Sequence, residues 1–266
     1  MISEDKHIDF SPLLSSAQPI TLDEMDSIKL MNRVDTKYVT SETMLLEILG
    51  RAFRAGYMVL ETEGKRMNPY DSVYYDTDGL RMYRDHHNRR LVRQKVRTRV
   101  YLSSGSTFLE IKKKNNHGRT RKKRISIAPE AFTDFTGDPF GEYGSFLKSI
   151  SGYSPDQLKP RLETFFRRIT LVNPARTERL TIDTSVSFTN RDTGQERNLG
   201  PAVIIELKQD GRMPSEMKAI LLSLRVKPVR VSKYCIGTVL TNPSAPDHRF
   251  KERIRTIEKT INQRII

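Results

Sequence analysis

From Val92 to Tyr101 the chain alternates with a period of two. Arg93, Lys95, Arg97 and Arg99 fall on one side; Val92, Gln94, Val96, Thr98 and Val100 fall on the other. Successive residues of a strand point to opposite faces, so the segment reads as a β-strand with four cations in a row opposite a mostly apolar face. The division recurs. In 107–112, Phe108, Glu110 and Lys112 oppose Leu109 and Ile111, and in 120–127, Lys122 and Arg124 oppose Lys123, Ile125 and Ile127. In 203–208, Ile204, Glu206 and Lys208 oppose Val203, Ile205 and Leu207; near 178–183, Arg179 and Asp183 oppose Glu178, Leu180 and Ile182. An ordinary half-exposed sheet turns such faces to water. Faces this basic, with Glu110 and Glu206 set among them as Glu-x-Lys pairs, also fit a sheet curled so that its charged side lines a lumen. Closing such a sheet removes its edges. A lumen crowded with cations is costly unless anions fill it.

The rest of the chain supplies the cover. Thr21 and Glu24 have capping-box spacing and open a helix expected to run to about Met31. Ser41 caps a second helix from Glu42 to about Phe53. Strand-like runs follow at 57–62, 72–76, 91–102, 107–113, 120–127, 163–172, 176–189 and 202–208. Helices are expected at 129–136, 140–150, 214–225 (opened by Pro214), 232–241 and 246–264. In the last, Phe250, Ile254, Ile257 and Ile261 share a face, which would pack on the sheet wall or cover one mouth of the lumen. The fold class is α+β, with a many-stranded antiparallel sheet because most connections are short. Three segments are expected: an N-terminal extension over 1–20, the main domain over 21–245, and the C-terminal helix over 246–266.

The charge narrows the partners. The chain has 46 Lys and Arg against 32 Asp and Glu, a net charge of +14. Such an excess favours a polyanion: nucleic acid, an anionic membrane or a phosphate-rich small molecule. Eight of these cations lie in the thirteen residues from Lys112 to Arg124. That run would serve as a nucleic-acid patch, or as a hairpin whose ends, Lys112 and Lys122/Arg124, enter the lumen while its tip, Asn115 to Gly118, stays solvated. No window is apolar enough for a membrane helix and no secretory leader is visible. The single cysteine, Cys235, excludes intrachain disulfides, and a reducing, cytoplasmic setting is expected. The five histidines are scattered without metal-binding spacing, and no Gly-x₄-Gly-Lys-Ser/Thr loop is present. Asp183 beside Arg179 reads as an ion pair, and Glu110 is either a metal ligand or the partner of Lys112.

Nine short segments, in order, carry a family resemblance. They are Arg33-Val34-Asp35-Thr36-Lys37-Tyr38-Val39, Ser72-Val73-Tyr74-Tyr75-Asp76, Arg97-Thr98-Arg99-Val100-Tyr101, Leu109-Glu110-Ile111-Lys112, Lys122-Lys123-Arg124-Ile125, Phe166-Arg167-Arg168-Ile169, Arg179 to Thr184, Ile205-Glu206-Leu207-Lys208 and Arg230-Val231-Ser232-Lys233-Tyr234. Together, over about 28–242, they resemble the VTC domain, the polyphosphate polymerase domain of the vacuolar transporter chaperone complex, here as a stand-alone bacterial-type member. The resemblance implies a triphosphate tunnel fold, shared with CYTH-like proteins: a closed antiparallel β-barrel with helices packed outside. It implies nucleoside triphosphate (ATP) and inorganic polyphosphate as partners, with nucleic acid disfavoured, and Mn²⁺ or Mg²⁺ as cofactor. The implied activity is transfer of the γ-phosphoryl of ATP onto a polyphosphate chain; a triphosphatase in the same tunnel and a non-catalytic polyanion binder are the alternatives. Carried over residue by residue, Lys37, Arg97, Arg99 and Glu206 form the implied catalytic set. Lys37, Arg97, Arg99, Lys112, Lys122, Arg168, Arg179 and Lys233 match phosphate-binding cations, with Arg33, Arg124, Lys208 and Arg230 as weaker placements. Glu206, assisted by Glu110, matches the metal position. The Glu-x-Glu-x-Lys signature of the CYTH phosphatases and cyclases is replaced by Arg33 to Lys37, which points to the polymerase branch.

Overall fold

Eleven strands join into one sheet: β1 Pro19–Ile20, β2 Arg33–Ser41, β3 Met58–Leu60, β4 Asn68–Asp76, β5 Arg93–Tyr101, β6 Ser106–Lys114, β7 Thr120–Ser126, β8 Lys159–Val172, β9 Glu178–Asn190, β10 Glu196–Asn198 and β11 Ala202–Asp210. The α-helices are α1 Ser11–Ser15, α2 Leu22–Asp26, α3 Glu42–Arg54, α4 Arg81–His87, α5 Glu142–Ser151, α6 Glu216–Ser223, α7 Lys233–Thr241 and α8 Lys251–Ile261. The computed structural model describes residues 7–26, 28, 33–137, 141–211 and 213–265. The main path of the sheet runs β2-β11-β9-β8-β4-β5-β6-β7, antiparallel throughout; only the short β1–β3 pair is parallel.

The sheet curls strongly but is not closed. Among the described residues β2 and β7, the ends of the path, do not pair with each other. The expected closed barrel is therefore corrected to an open, curled sheet. Seaming it would press the inward row of β2, where Arg33 and Lys37 flank Asp35, against Lys122 and Arg124, a contact with an excess of like charge.

Much of the convex face is apolar and covered. Leu171, Leu180, Ile182, Val203, Ile205 and Leu207 pack under α3 and α6, through Leu45, Ile48, Leu49, Met217 and Leu221. Val73, Tyr75, Val96, Leu109 and Ile111 pack under Phe135 and Leu147. The expected helices are not all outside, however. Tyr70, Tyr74, Leu162, Phe166 and Ile204 share a cluster with Tyr234, Ile236, Leu240, Phe250, Ile254 and Ile257. These strand residues have the parity of the lumen cations, so α7 and α8 fill one end of the concave side and leave the basic end open. Asp76 ties this plug to the sheet: it accepts hydrogen bonds from the Met82 and Tyr83 amides of α4 and, at 2.5 Å, from the Tyr234 hydroxyl of α7.

Several boundaries differ from expectation. The capping box forms, with Thr21 N donating to Glu24 Oε2 at 3.0 Å, but α2 ends at Asp26; apart from Ile28, the expected continuation over 27–31 lies outside the described residues. Segment 33–41, outside the expected strand runs, is the strand β2. Ser215 rather than a Pro214 first turn caps α6, accepting from the Lys218 amide. The last helix spans Lys251–Ile261.

Candidate functional site

The open end of the curl is a cavity of about 730 Å³ whose walls are largely inward strand residues, Tyr70 and Tyr74 of β4 among them. Strand β2 supplies Arg33, Asp35 and Lys37, and β5 supplies Lys95, Arg97 and Arg99. Strands β6 and β7 add Glu110, Lys112, Lys122 and Arg124; β8 and β9 add Arg168 and Arg179; β11 adds Glu206 and Lys208. Ser232 and Lys233, at the start of α7, form part of the floor. The described lining thus holds twelve Lys and Arg but three carboxylates, and one face of each strand repeats at about 6.6 Å, twice the rise of ~3.3 Å per residue.

Two of the carboxylates that meet these cations are already committed. Glu110 accepts from Arg97 Nε and Nη2 at 2.8 and 2.6 Å and is ion-paired to Lys122. Asp183 accepts from Arg168 Nε and Nη2 at 2.6 and 2.8 Å and is ion-paired to Lys233. Parity in the sequence had set Asp183 beside Arg179; in the fold Arg168 and Lys233 hold it. Burial alone would raise both carboxyls, but these cations outweigh it and hold each well below the ordinary carboxylate range. Glu110 is thereby placed as the partner of Arg97 and Lys122 rather than as a free ligand.

Glu206 differs. It faces Lys37 across the β2–β11 ladder, yet among the described residues it makes no direct hydrogen bond or ion pair. Burial would raise its carboxyl; Lys37, Lys208, Lys112 and Arg168 outweigh it and bring it to about 2. It is a permanently ionised carboxylate with open lone pairs in a basic cavity.

The cations are held under stress. Burial, with like charges nearby, lowers Lys122, Lys208 and Lys233 to about 8, and Arg99 to about 10. Lys95, a lining residue that strand parity marked but the residue-by-residue assignment omitted, is also lowered by burial; its ammonium donates to Ser232 Oγ at 2.7 Å. A bound polyanion relieves this mutual repulsion, so the free cavity is electrostatically prepared for one. Ser232 caps α7 by accepting from the Cys235 amide, which points that helix's positive end at the cavity.

An aromatic bed keeps the arginines extended. Tyr70 stacks on Phe166 with ring centres 5.4 Å apart. Arg99 and Arg168 lie over both rings, and Lys233 Nζ stands 4.3 Å from the Phe166 centre. Arg124 covers Phe108 at 4.5 Å. Tyr74, also missed from sequence, accepts from Arg97 Nη1 at 2.9 Å; burial would raise its phenol, but Arg97, Lys95, Arg99 and Lys233 bring it down to about 7. Arg230 is the exception among the sequence-derived candidates. It is exposed on the loop before α7 and outside the lining, because the cap at Ser232 turns the chain into the cavity only after it.

The family model of the VTC domain matches residues 32–242. The chain belongs to the VTC domain family. A solved structure supports the fold. A Bacillus halodurans protein provisionally assigned as an adenylate cyclase matches with a TM-score of 0.52 at 14% identity, covering 83% of this chain and 100% of its own. A Hippeastrum protein, provisionally an adenylyl cyclase and described as having a dominant triphosphatase activity, covers 79% and 96% at 12% identity and a TM-score of 0.48. No curated protein matches the sequence. In this VTC domain no helix among the described residues is long and apolar enough to cross a membrane.

Proposed function

We propose that this VTC domain is a metal-dependent, polyphosphate polymerase-like phosphotransferase that moves the γ-phosphoryl of ATP onto a polyphosphate chain in the basic cavity. The observation that carries this reading is the pairing of a twelve-cation lining with one uncommitted carboxylate, Glu206. Phosphoryl transfer asks a protein for positioning and charge stabilisation more than for covalent chemistry. Arg99, which spends only its Nε on Ser72, presents the planar end of its guanidinium to non-bridging oxygens. Arg97 and Arg168 add their charge from the edges not engaged by Glu110 and Asp183, and Lys37, Lys112 and Lys208 act as point charges along the chain. The rows on facing strands hold donor and acceptor phosphates in one extended path, and the bed of Tyr70 and Phe166 fixes the arginines that meet them.

A divalent ion fits this donor set. No cluster of three or more His, Cys, Asp or Glu occurs among the described residues, so a caged metal is not supported. A hard cation held by one carboxylate and completed by substrate phosphates needs no such cluster, and Glu206 would hold it. When bound, Mn²⁺ or Mg²⁺ would supply Lewis-acid polarisation of the phosphoryl oxygens.

The test is ³¹P NMR of the protein with ATP and Mn²⁺, with and without a short polyphosphate primer. Growth of internal-phosphate signal with release of ADP is the expected result; orthophosphate alone would assign the site to hydrolysis. In Glu206→Gln, turnover should fall at least about 100-fold, the scale of losing one transition-state electrostatic contact. Metal-free tripolyphosphate affinity should hold or rise, because a negative charge leaves the cavity. Unchanged turnover would remove Glu206 from the mechanism.

A further inference from the structure

Of the basic run, Lys112, Lys122 and Arg124 enter the cavity, and five cations remain unexplained by it: Lys113, Lys114, Arg119, Arg121 and Lys123. They line a second cleft of about 460 Å³ on the outer face of the β6–β7 hairpin, closed on its other side by Val92 and by Ser149 and Ile150 of α5. The hairpin therefore carries cations on both faces. Under α3, α6 and α5 the outward strand faces are apolar and covered, and on β8 the outward Arg161 is paired with Asp192; here Arg121 and Lys123 point out between Lys122 and Arg124, which point in. Lys113 stands directly opposite Arg121 in the β6–β7 ladder, a like-charge pair that destabilises a hairpin. Lys113 Nζ reaches the Ile150 carbonyl at 3.5 Å, but among the described residues none of the five has a carboxylate partner. Charges on an edge strand also discourage aggregation. That role does not need a cleft walled by a helix end.

We infer that this outer cleft is a second polyphosphate site, which holds the chain after it leaves the cavity. The inference rests on the function proposed above and adds the path of the polymer. The two sites share the wall made by β7, whose free edge faces the gap in the sheet, so a linear polyanion can pass over that edge from Lys122 to Arg121 and Lys123 without leaving positive charge. The chemistry of the lining separates polyphosphate from nucleic acid. Among the described residues the lining contains no aromatic ring on which a base would stack, whereas single-stranded nucleic acid sites depend on such platforms.

The experiment compares the wild type with Lys113→Gln/Arg119→Gln/Arg121→Gln/Lys123→Gln, using tripolyphosphate and long-chain polyphosphate as probes over a range of salt. Tripolyphosphate fits in the cavity and should bind both proteins equally within about twofold. Long-chain affinity should fall about tenfold or more, and its log–log salt slope by roughly two to three, for four lost phosphate contacts on a single strand. Equal long-chain binding by both proteins overturns the inference, as does a loss confined to single-stranded DNA or to anionic phospholipid vesicles. Failure of the wild type to bind tripolyphosphate would instead strike the proposed function. A second readout needs no variant: wild-type affinity should keep rising with chain length after the cavity is filled, and a plateau at the filling length also overturns the inference.

Discussion

At the scale of single residues, the cavity depends on Asp183 to make its cations foldable. Asp183 is 3% exposed and holds Arg168 in a bidentate pair while also pairing with Lys233. Its carboxyl is held down by those cations, so its stabilisation is fully present above the ordinary carboxylate range and is lost as the pH falls through its own lowered value. Removing the charge strands two cations. Asp183→Asn should therefore cost about 3–5 kcal/mol, the scale of breaking a buried pair, and lower Tm by about 10 °C for a domain of this size. The distinctive outcome is rescue. Tripolyphosphate supplies the missing negative charge, so saturating ligand should raise the Tm of the variant more than that of the wild type. Calorimetry showing equal ligand shifts would mean that Arg168 and Lys233 do not meet phosphate.

At the scale of elements, α7 sets the cavity floor, and its place depends on Gly237. A Cβ there would lie 2.5 Å from Phe188 Cδ1 and 2.7 Å from Leu162 Cδ2. Alanine is the better helix former by about 1 kcal/mol, but overpacking costs about 1–3 kcal/mol and displaces the helix. Gly237→Ala should thus lower both Tm and triphosphate affinity, since Ser232 and Lys233 move with the helix; intact affinity would show that the floor contributes no binding. Helix α7 was legible in the sequence, as were the inward rows of β5, β6, β7 and β11, because strand parity runs through them unbroken. Strand β2 was not. Its inward residues Arg33, Asp35 and Lys37 look like a polar loop until β11, over 160 residues away, pairs with it from Ala202↔Ser41 to Asp210↔Arg33. Beyond Asp183 parity also misleads. Ser185 has a φ of 49° and the β8–β9 register shifts between Phe165 and Arg167, so the concave face passes from Asp183 to Val186 and Phe188. That shift converts a basic face into the apolar seat of α7 and α8, and no local pattern announces it. The cations of β5, β6, β7 and β11 were legible for the same reason as their strands and Lys37, Arg168 and Lys233 only through the family resemblance, while Tyr74 and the Tyr70–Phe166 bed were hidden because aromatic residues on a strand read as core.

At the scale of the whole molecule, the net charge of +14 is concentrated where the sheet cannot neutralise it, and the consequence is a pH dependence of binding with a definite sign. Lys122, Lys208 and Lys233 sit at about 8 in the free protein, so each loses charge as the pH rises through that value. Tyr74, at about 7, gains a negative charge over the preceding interval. Both changes oppose an anion. A bound triphosphate favours the protonated lysines and the neutral phenol, so binding must take up protons near pH 8. Calorimetric titrations in buffers of different ionisation enthalpy should therefore show proton uptake, and tripolyphosphate affinity should decline steadily from neutral to alkaline pH. Tyr74→Phe removes the group responsible for the first part of the decline. Its affinity should stay level through about pH 7 and fall only as the lysines titrate near 8. Affinity that is flat across this range, with no uptake of protons, would mean that the cavity cations remain fully charged without a ligand; the polyanion would then relieve no charge stress on entering.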